Sequence, residues 1–199
     1  MRRHLVIMAR EPRLGVVKKR LAADIGRVGA WAFYDQSLKL TLRHLQSRRW
    51  KCWLAATPDG ANIRHDGWCQ RKQGSGDLGQ RMFQPMKTLP PGPVVVVGSD
   101  APDIGPRHIE RAFRALGNHD WVFGPAVDGG YWLVGARRWP RLINPFKGVR
   151  WSSEHALDDT LANVMNDPRR VRVALIDILS DVDTGADYQV WKKTKPTFR

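Results

Sequence analysis

The stretch "VVVVGSDAPDIG" (Val94–Gly105) places four consecutive valines directly before a cluster of glycine, serine, proline and two aspartates. A continuous run of β-branched residues is typical of a strand that is buried on both faces, as strands are in parallel sheets covered by helices. This pattern favours a central position in the sheet. Asp100 then lies at the carboxyl end of the strand, where ligands collect in open α/β sheets.

The rest of the chain alternates short apolar runs with segments of helical periodicity. The apolar runs predict strands at residues 4–9, 52–57, 93–98, 121–126, 131–136 and 171–178. The periodic segments predict helices at 29–49, 78–89, 107–116, 153–165 and 187–193. This alternation indicates an α/β fold with a mainly parallel sheet. Only "VDGG" separates two of the strands, which is too short for a helical crossover, so one strand is antiparallel and the sheet is mixed.

Length and composition predict one soluble domain over residues 1–199, because 199 residues with 42% hydrophobic content support one sizeable core. The apolar runs are too short for a membrane span or a secretory signal, which indicates a cytoplasmic protein. Cys52 and Cys69 are too few for a disulfide framework or a cysteine-based zinc site, and their apolar surroundings predict buried thiols.

The net charge is +14, and residues 1–50 hold twelve Lys and Arg against three acids. This excess of positive charge indicates an anionic partner. Nucleic acid is disfavoured, because the chain has no zinc-finger spacing, no RNP-type aromatic pattern and no basic helix with heptads. Phosphorylated small molecules are the other candidates.

Three aspartates follow predicted strands: Asp100, Asp128 in "VDGGY" and Asp183 in "DVDTG". Each alone is most often a turn residue. Three carboxylates at one edge of a sheet repel one another unless a cation or a basic side chain lies among them. Oxygen ligands of this kind suit Mg²⁺ or Mn²⁺, which also bind substrate phosphates.

The loop after the first predicted strand, "AREPRLGVVKKRLA" (residues 9–22), supplies positive charge. Arg10, Lys18 and Arg20 surround Gly15, which lets the backbone approach a phosphate closely. The loop is neither a Walker A sequence nor a G-x-G-x-x-G fingerprint. It is either a phosphate-binding loop or a solvated basic loop.

This loop, the valine segment and four further motifs occur in the order of one known family: "GSGDLGQRM" (74–82), "FGPAVDGGYWLVG" (123–135), "VRWSSEHAL" (149–157) and "DVDTGADY" (181–188). Together they resemble the bacterial GT-A-type enzymes called arsenosugar-biosynthesis glycosyltransferases, in the nucleotide-diphospho-sugar transferase superfamily. The resemblance spans nearly the whole chain. It implies a single-domain GT-A fold of three α/β/α layers around a mixed, mainly parallel sheet.

The resemblance also implies roles for individual residues. Asp100 and Asp183 match the metal-binding acids, and Lys18 and Arg20 match the phosphate-binding pair of a "K-T-R-L" element in which Lys19 replaces the threonine. Asp128 matches a segment that faces the sugar or the acceptor, and is the candidate base. The remaining expected nucleotide or phosphate contacts are Arg10, Gly15, Asp77, Arg81 and Ser99. The expected acceptor contacts are Gly129, Gly130, Tyr131, Trp151 and Ser152.

The activity that this resemblance implies is a metal-dependent glycosyltransferase, which uses Mg²⁺ or Mn²⁺, a nucleotide-diphospho-sugar donor and a small-molecule acceptor. The alternative is a nucleotidyltransferase that uses a nucleoside triphosphate and releases pyrophosphate, because the "K-x-R-L" element also resembles that of cofactor guanylyltransferases. A second alternative is a non-catalytic, basic nucleic-acid-binding protein on the same scaffold.

Overall fold

The computed structural model describes residues 1–168 and 170–194. The strands are β1 (His4–Arg10), β2 (Lys51–Thr57), β3 (Trp68–Lys72), β4 (Val94–Gly98), β5 (Trp121–Pro125), β6 (Tyr131–Ala136) and β7 (Val173–Leu175). The helices are α1 (Lys19–Ile25), α2 (Arg27–Leu45), α3 (Leu78–Thr88), α4 (Pro106–Ala115), α5 (Ala156–Met165) and α6 (Gly185–Thr194).

The strands form one mixed sheet in the order β3-β2-β1-β4-β6-β5-β7. Strand β6 runs antiparallel to both of its neighbours, β4 and β5, whereas the other pairs are parallel. The prediction of a mainly parallel sheet with one antiparallel strand is therefore confirmed. The valine strand β4 is fourth of the seven, and its valines are at most 2% exposed, which confirms its central position.

Helices cover both faces of the sheet and give the three expected layers. Buried residues of α2 and α4, such as Leu42 and Ile109, pack with Val97 on one face. Met82 and Met86 of α3 and Val164 of α5 belong to the cluster on the other face. A smaller cluster joins α1, α2 and α6 beside the first face. None of the described helices is both long and apolar enough to cross a bilayer.

Several sequence-based boundaries were wrong. Strand β3 was missed because it lies at the sheet edge, where its "WCQRK" residues are mostly accessible and form no apolar run. The same edge position leaves Cys69 partly exposed, so the prediction of a buried thiol holds only for Cys52. Helix α1 was missed because it has seven residues and one buried side chain, Leu21, which is too little for a periodic pattern.

Other elements are shorter than predicted. The last strand covers three residues instead of 171–178, although Ile176 and Leu179 still donate backbone hydrogen bonds to β5. Helix α5 begins at Ala156 instead of residue 153, since residues 151–155 form turns in which Ser152 has a φ of 59°. Helix α2 ends at Leu45 instead of residue 49.

Candidate active site

A cavity of about 640 Å³ opens at the carboxyl edge of the central strands. Its wall is formed by the loop after β1, the end of β4, the first turns of α3, part of β6 and residues 181 and 183. Nine of the residues predicted from the sequence line it: Arg10, Lys18, Arg20, Arg81, Ser99, Asp100, Tyr131, Ser152 and Asp183. Six others, which are Gly15, Asp77, Asp128, Gly129, Gly130 and Trp151, are not in the wall.

Lys18 joins the two predicted metal ligands. Its Nζ lies 2.5 Å from Oδ1 of Asp100 and 2.7 Å from Oδ1 of Asp183, and its side chain is 4% exposed. Burial opposes the charge on this lysine, but attraction to the two carboxylates and their hydrogen bonds outweighs it and raises the pKa of Lys18. Arg20 lies farther from the pair, with Nη2 at 3.9 Å from Asp183. The protein therefore brings both carboxylates within reach of one cationic group.

The backbone of the first loop aims Lys18 inward. Lys18 precedes α1 with φ 47° and ψ 52°, a left-handed conformation that is costly for a residue with a side chain. Gly15 also has a positive φ, 76°, which glycine adopts at little cost. Trp31 of α2 donates a hydrogen bond from Nε1 to the carbonyl of Pro12 and anchors the loop. Gly15 thus shapes the loop without lining the cavity.

Asp187 holds the segment that carries Asp183. Its Oδ2 accepts hydrogen bonds from the backbone N–H groups of Asp183 and Thr184 and from the Thr184 hydroxyl. Burial opposes the charge, but these bonds outweigh it and lower the pKa of Asp187. The N–H of Asp187 donates in turn to Thr184 Oγ1, which completes a capping box at the start of α6. Asp187 was not predicted as a site residue, although the T-x-x-D spacing of "TGAD" is typical of a helix-capping pair.

Asp181 was also missed, and it lies in the cavity wall two residues before Asp183. Burial and then the nearby charge of Asp100 raise the pKa of Asp181 to about 7, with further contributions from Asp128 and Asp183, while Lys18 acts in the opposite direction. Asp181 is therefore a third carboxyl group at this edge, close enough to Asp100 and Asp183 for their charges to affect it.

Asp100 and Asp183 fit a divalent cation. Their carboxylate oxygens approach the same atom, the Nζ of Lys18, so the two acids are close enough to share one cation. Mg²⁺ is commonly held by one or two carboxylates together with substrate phosphates. Within residues 1–168 and 170–194, no group of three or more His, Cys, Asp or Glu side chains is arranged around one metal position.

Ser99 is held by a buried hydroxyl network at the end of β4. It is 6% exposed, and its Oγ lies 3.0 Å from the hydroxyl of Tyr34 on α2. The Tyr34 hydroxyl also accepts a hydrogen bond from the N–H of Arg10 and donates one to the Arg10 carbonyl, both at 2.9 Å. Because the single Tyr34 proton is used in that bond, Ser99 donates to Tyr34 and keeps its lone pairs for other partners. Tyr34 therefore fixes the ends of β1 and β4 relative to each other.

Arg81 and Asp77 behave differently although they lie in one motif. Asp77 caps α3, since its Oδ1 accepts the N–H of Gln80 at 2.7 Å, and Gln80 completes the capping box. Arg81 faces the cavity, where its Nη1 donates to Oε1 of Gln73 at 3.1 Å. Gln73 is 4% exposed and was not predicted as a site residue.

The expected acceptor residues are divided between the cavity and the packing beside it. Tyr131 and Ser152 line the cavity, whereas Trp151 packs against Tyr131 and Phe146 with ring centroids 6.4 and 6.1 Å away. Gly129, with φ 83°, lies so close to the backbone of Glu154 that an added Cβ would be 2.2 Å from its carbonyl oxygen.

Asp128, the predicted base, lies in the turn between β5 and β6. Its Oδ1 accepts the N–H of Gly130 at 2.9 Å, which is a turn contact. It is exposed, and it is close enough to Asp181 to contribute to the raised pKa of that carboxyl group. Asp128 therefore lies at the edge of the site rather than in the cavity wall.

The mixed sheet, with its one antiparallel strand, has the nucleotide-diphospho-sugar transferase fold. The chain belongs to the bacterial family described as "Uncharacterized protein conserved in bacteria (DUF2064)", whose profile matches residues 40–153. No curated protein matches the chain.

Solved structures support the fold. A crystal structure of a candidate nucleotide-diphospho-sugar transferase from Desulfovibrio desulfuricans G20 is 26% identical, with a TM-score of 0.87 over 100% of this chain and 91% of that chain. A 4-diphosphocytidyl-2C-methyl-D-erythritol synthase from Anaerococcus prevotii DSM 20548 is 12% identical, with a TM-score of 0.59 over 94% of each chain. A CMP:2-keto-3-deoxy-manno-octonic acid synthetase complexed with CTP is 14% identical, with a TM-score of 0.55 over 97% of this chain and 98% of that one.

Proposed function

We propose that this protein is a transferase acting on a nucleotide substrate, and that within this class it is a metal-dependent glycosyltransferase with a nucleotide-diphospho-sugar donor and a small acceptor. The observation that carries the proposal is the convergence of Asp100 and Asp183 on the ammonium group of Lys18 at the cavity. Two acids and a lysine in this arrangement suit a diphosphate and its cation. The 26% identical candidate nucleotide-diphospho-sugar transferase of the same fold is consistent with this class.

The residues divide into three roles. Asp100 and Asp183 would hold Mg²⁺ or Mn²⁺, which would offset charge on the departing nucleoside diphosphate. Lys18 and Arg20 would bind the phosphates, and the hydrogen bonds that the Asp187 carboxylate accepts would keep Asp183 in place. Tyr131 and Ser152 would contact the acceptor from the opposite part of the wall.

Asp128 is the proposed base. Its Oδ1 is used by the N–H of Gly130, so Oδ2 would accept the proton from the acceptor hydroxyl as that oxygen attacks the anomeric carbon. Because Asp128 is exposed at the edge of the site, the acceptor would have to approach from the side of the β5–β6 turn.

A nucleotidyl transfer is the second candidate, and the basic first loop favours it. Besides Lys18, which pairs with two carboxylates, Arg10, Lys19 and Arg20 line the cavity, and their charges would suit a triphosphate. In this reaction a phosphorylated substrate would attack the α-phosphate of a nucleoside triphosphate, and pyrophosphate would leave. One protein of the same fold was solved with CTP.

A thermal-shift panel separates these reactions, because a ligand that binds the folded protein raises its melting temperature. The panel holds nucleotide sugars and nucleoside triphosphates, each with and without Mn²⁺. A shift with nucleotide sugars but not with triphosphates supports glycosyl transfer, and the reverse supports nucleotidyl transfer. If only nucleic acid binds, with an affinity that falls steeply with salt and survives Asp100→Ala, both proposals are wrong.

A further inference from the structure

Gln73 is a buried polar residue whose side chain is fixed by three hydrogen bonds. Its Nε2 donates to the carbonyl of Ala9, at the end of β1, at 3.1 Å and to the carbonyl of Ala55 in β2 at 2.8 Å. Both amide protons are therefore used, which fixes the side chain so that Oε1 faces Arg81. The residue links two neighbouring strands to the first turn of α3.

Arg81 is left with unused donors in the cavity. A guanidinium has five N–H groups, and two of them donate to Gln73 Oε1 and to the Asp77 carbonyl. In the part of the chain that the structure describes, no carboxylate forms an ion pair with Arg81. Lys18, by contrast, is already paired with two carboxylates. Arg81 is therefore a charged, oriented group whose remaining N–H groups are free for a ligand.

The position of Arg81 favours a contact with the nucleobase rather than with the phosphates. In the proposed function, the phosphates bind at Lys18, Asp100 and Asp183, where Lys18 directly precedes α1. Arg81 comes from α3, which packs on the other face of the sheet, and the neighbouring cavity wall holds the apolar side chains of Leu78 and Met82. A planar base has apolar faces and a polar edge, so it suits an apolar wall with one oriented guanidinium.

We propose that the guanidinium of Arg81, which Gln73 holds in position, selects the nucleobase. It favours bases that carry a carbonyl oxygen on the ring, namely guanine, cytosine or uracil, over adenine. This inference rests on the proposed nucleotide-dependent function. Guanine offers two adjacent acceptors, O6 and N7, to an arginine fork, whereas adenine places an amino donor beside its ring nitrogen. Cytosine and uracil likewise present a carbonyl oxygen attached to the ring. Gln73 is a positioning residue here, because it acts through Arg81.

The test compares the dissociation constants of GDP, CDP, UDP and ADP by calorimetry in the presence of Mn²⁺, because a nucleoside diphosphate is the product that the proposed glycosyl transfer releases. At least one of the three carbonyl-bearing nucleotides should bind the wild type about tenfold more tightly than ADP. Arg81→Lys keeps the charge but loses the planar fork, and Gln73→Met removes the support. Each change should reduce the preference over ADP to about twofold or less. The double variant should show no further loss, because both act through one contact.

The ratio between bases separates positioning from folding, since a loss of folded protein lowers every affinity alike. Two controls repeat the same substitutions at exposed positions away from the cavity: Gln84→Met on α3 and Arg114→Lys on α4. Both should leave the ratio of the affinities unchanged. A wild type without preference over ADP, or a preference that survives Arg81→Lys or Gln73→Met, overturns the inference. A wild type that binds no nucleotide or nucleotide sugar overturns the proposed function itself.

Discussion

The ammonium group of Lys18 lies 2.5 Å from Oδ1 of Asp100, which joins the loop after β1 to the end of the central strand. Lys18→Met keeps the length of the side chain and leaves Asp100 and Asp183 without their neutralising partner. We expect the free energy of unfolding in EDTA to fall by about 1–2 kcal/mol, less than for a fully buried pair, because the two carboxylates are 49% and 38% exposed. Urea denaturation measures the change.

Lys39→Met is the matched control, since Lys39 pairs with Asp35 on the exposed face of α2. An exposed pair one helical turn apart contributes about 0.5 kcal/mol or less. Equal losses for the two variants would show that Lys18 has no special role in the acidic cluster.

Asp187→Asn should weaken Mn²⁺ binding without removing a metal ligand. The amide cannot hold three donors around Asp183 and Thr184 as strongly as the carboxylate does, so Asp183 becomes less fixed. Outer hydrogen-bonding partners of metal ligands typically affect affinity by about 10-fold or more. Calorimetric titration with Mn²⁺ tests this, with exposed Asp158→Asn on α5 as the control; unchanged affinity in Asp187→Asn contradicts the prediction.

The raised pKa of Asp181, about 7, predicts how stability depends on pH in metal-free buffer. At pH values between 3.8, the ordinary pKa of the group, and about 7, the folded protein binds the proton of Asp181 more tightly than the unfolded chain does. Raising the pH through this window therefore lowers the free energy of unfolding.

Asp181→Asn removes that titration, so the variant should gain stability relative to the wild type between pH 5 and about pH 8. Urea denaturation at both pH values in EDTA measures the difference. If the difference in the free energy of unfolding between Asp181→Asn and the wild type is the same at both pH values, Asp181 does not hold its proton in the folded protein.

Gly129→Ala should destabilise the turn between β5 and β6. Its φ of 83° is unfavourable for alanine, and the new Cβ would lie 2.2 Å from the backbone oxygen of Glu154. Strain and overlap together should cost about 3 kcal/mol. Gly15→Ala is the comparison, because Gly15 has a similar φ of 76° but open space around it, and should cost about 1–2 kcal/mol. Equal costs would mean that the contact with Glu154 relaxes freely.

The predictable part of the fold and site came from local patterns. Four valines are enough to mark β4 as a buried central strand, and that strand places Asp100 at the edge where the cavity opens. The basic loop after β1 could be assigned because it follows the strand directly. In contrast, β3 carries polar side chains at an edge and gives no apolar pattern.

Gln73 shows why the rest was not predictable. Its partners Ala9 and Ala55 are 64 and 18 residues away in the sequence, and an isolated glutamine after a polar strand has no local pattern. Lys18 was predicted to bind phosphate, but its contact with Asp183 spans 165 residues and depends on how the chain ends return to the sheet. Such pairings arise from topology, which residue spacing alone does not specify.

The most direct test of the proposed function is calorimetric titration of nucleotide sugars and nucleoside triphosphates with and without Mn²⁺, in the wild type and in Asp100→Asn. We expect at least one nucleotide ligand to bind the wild type about tenfold or more tightly with Mn²⁺, and this gain to disappear in Asp100→Asn but to persist in the exposed control Asp66→Asn. Affinities that do not depend on Mn²⁺ for any ligand, or a gain that survives Asp100→Asn, would contradict a metal-bridged nucleotide site.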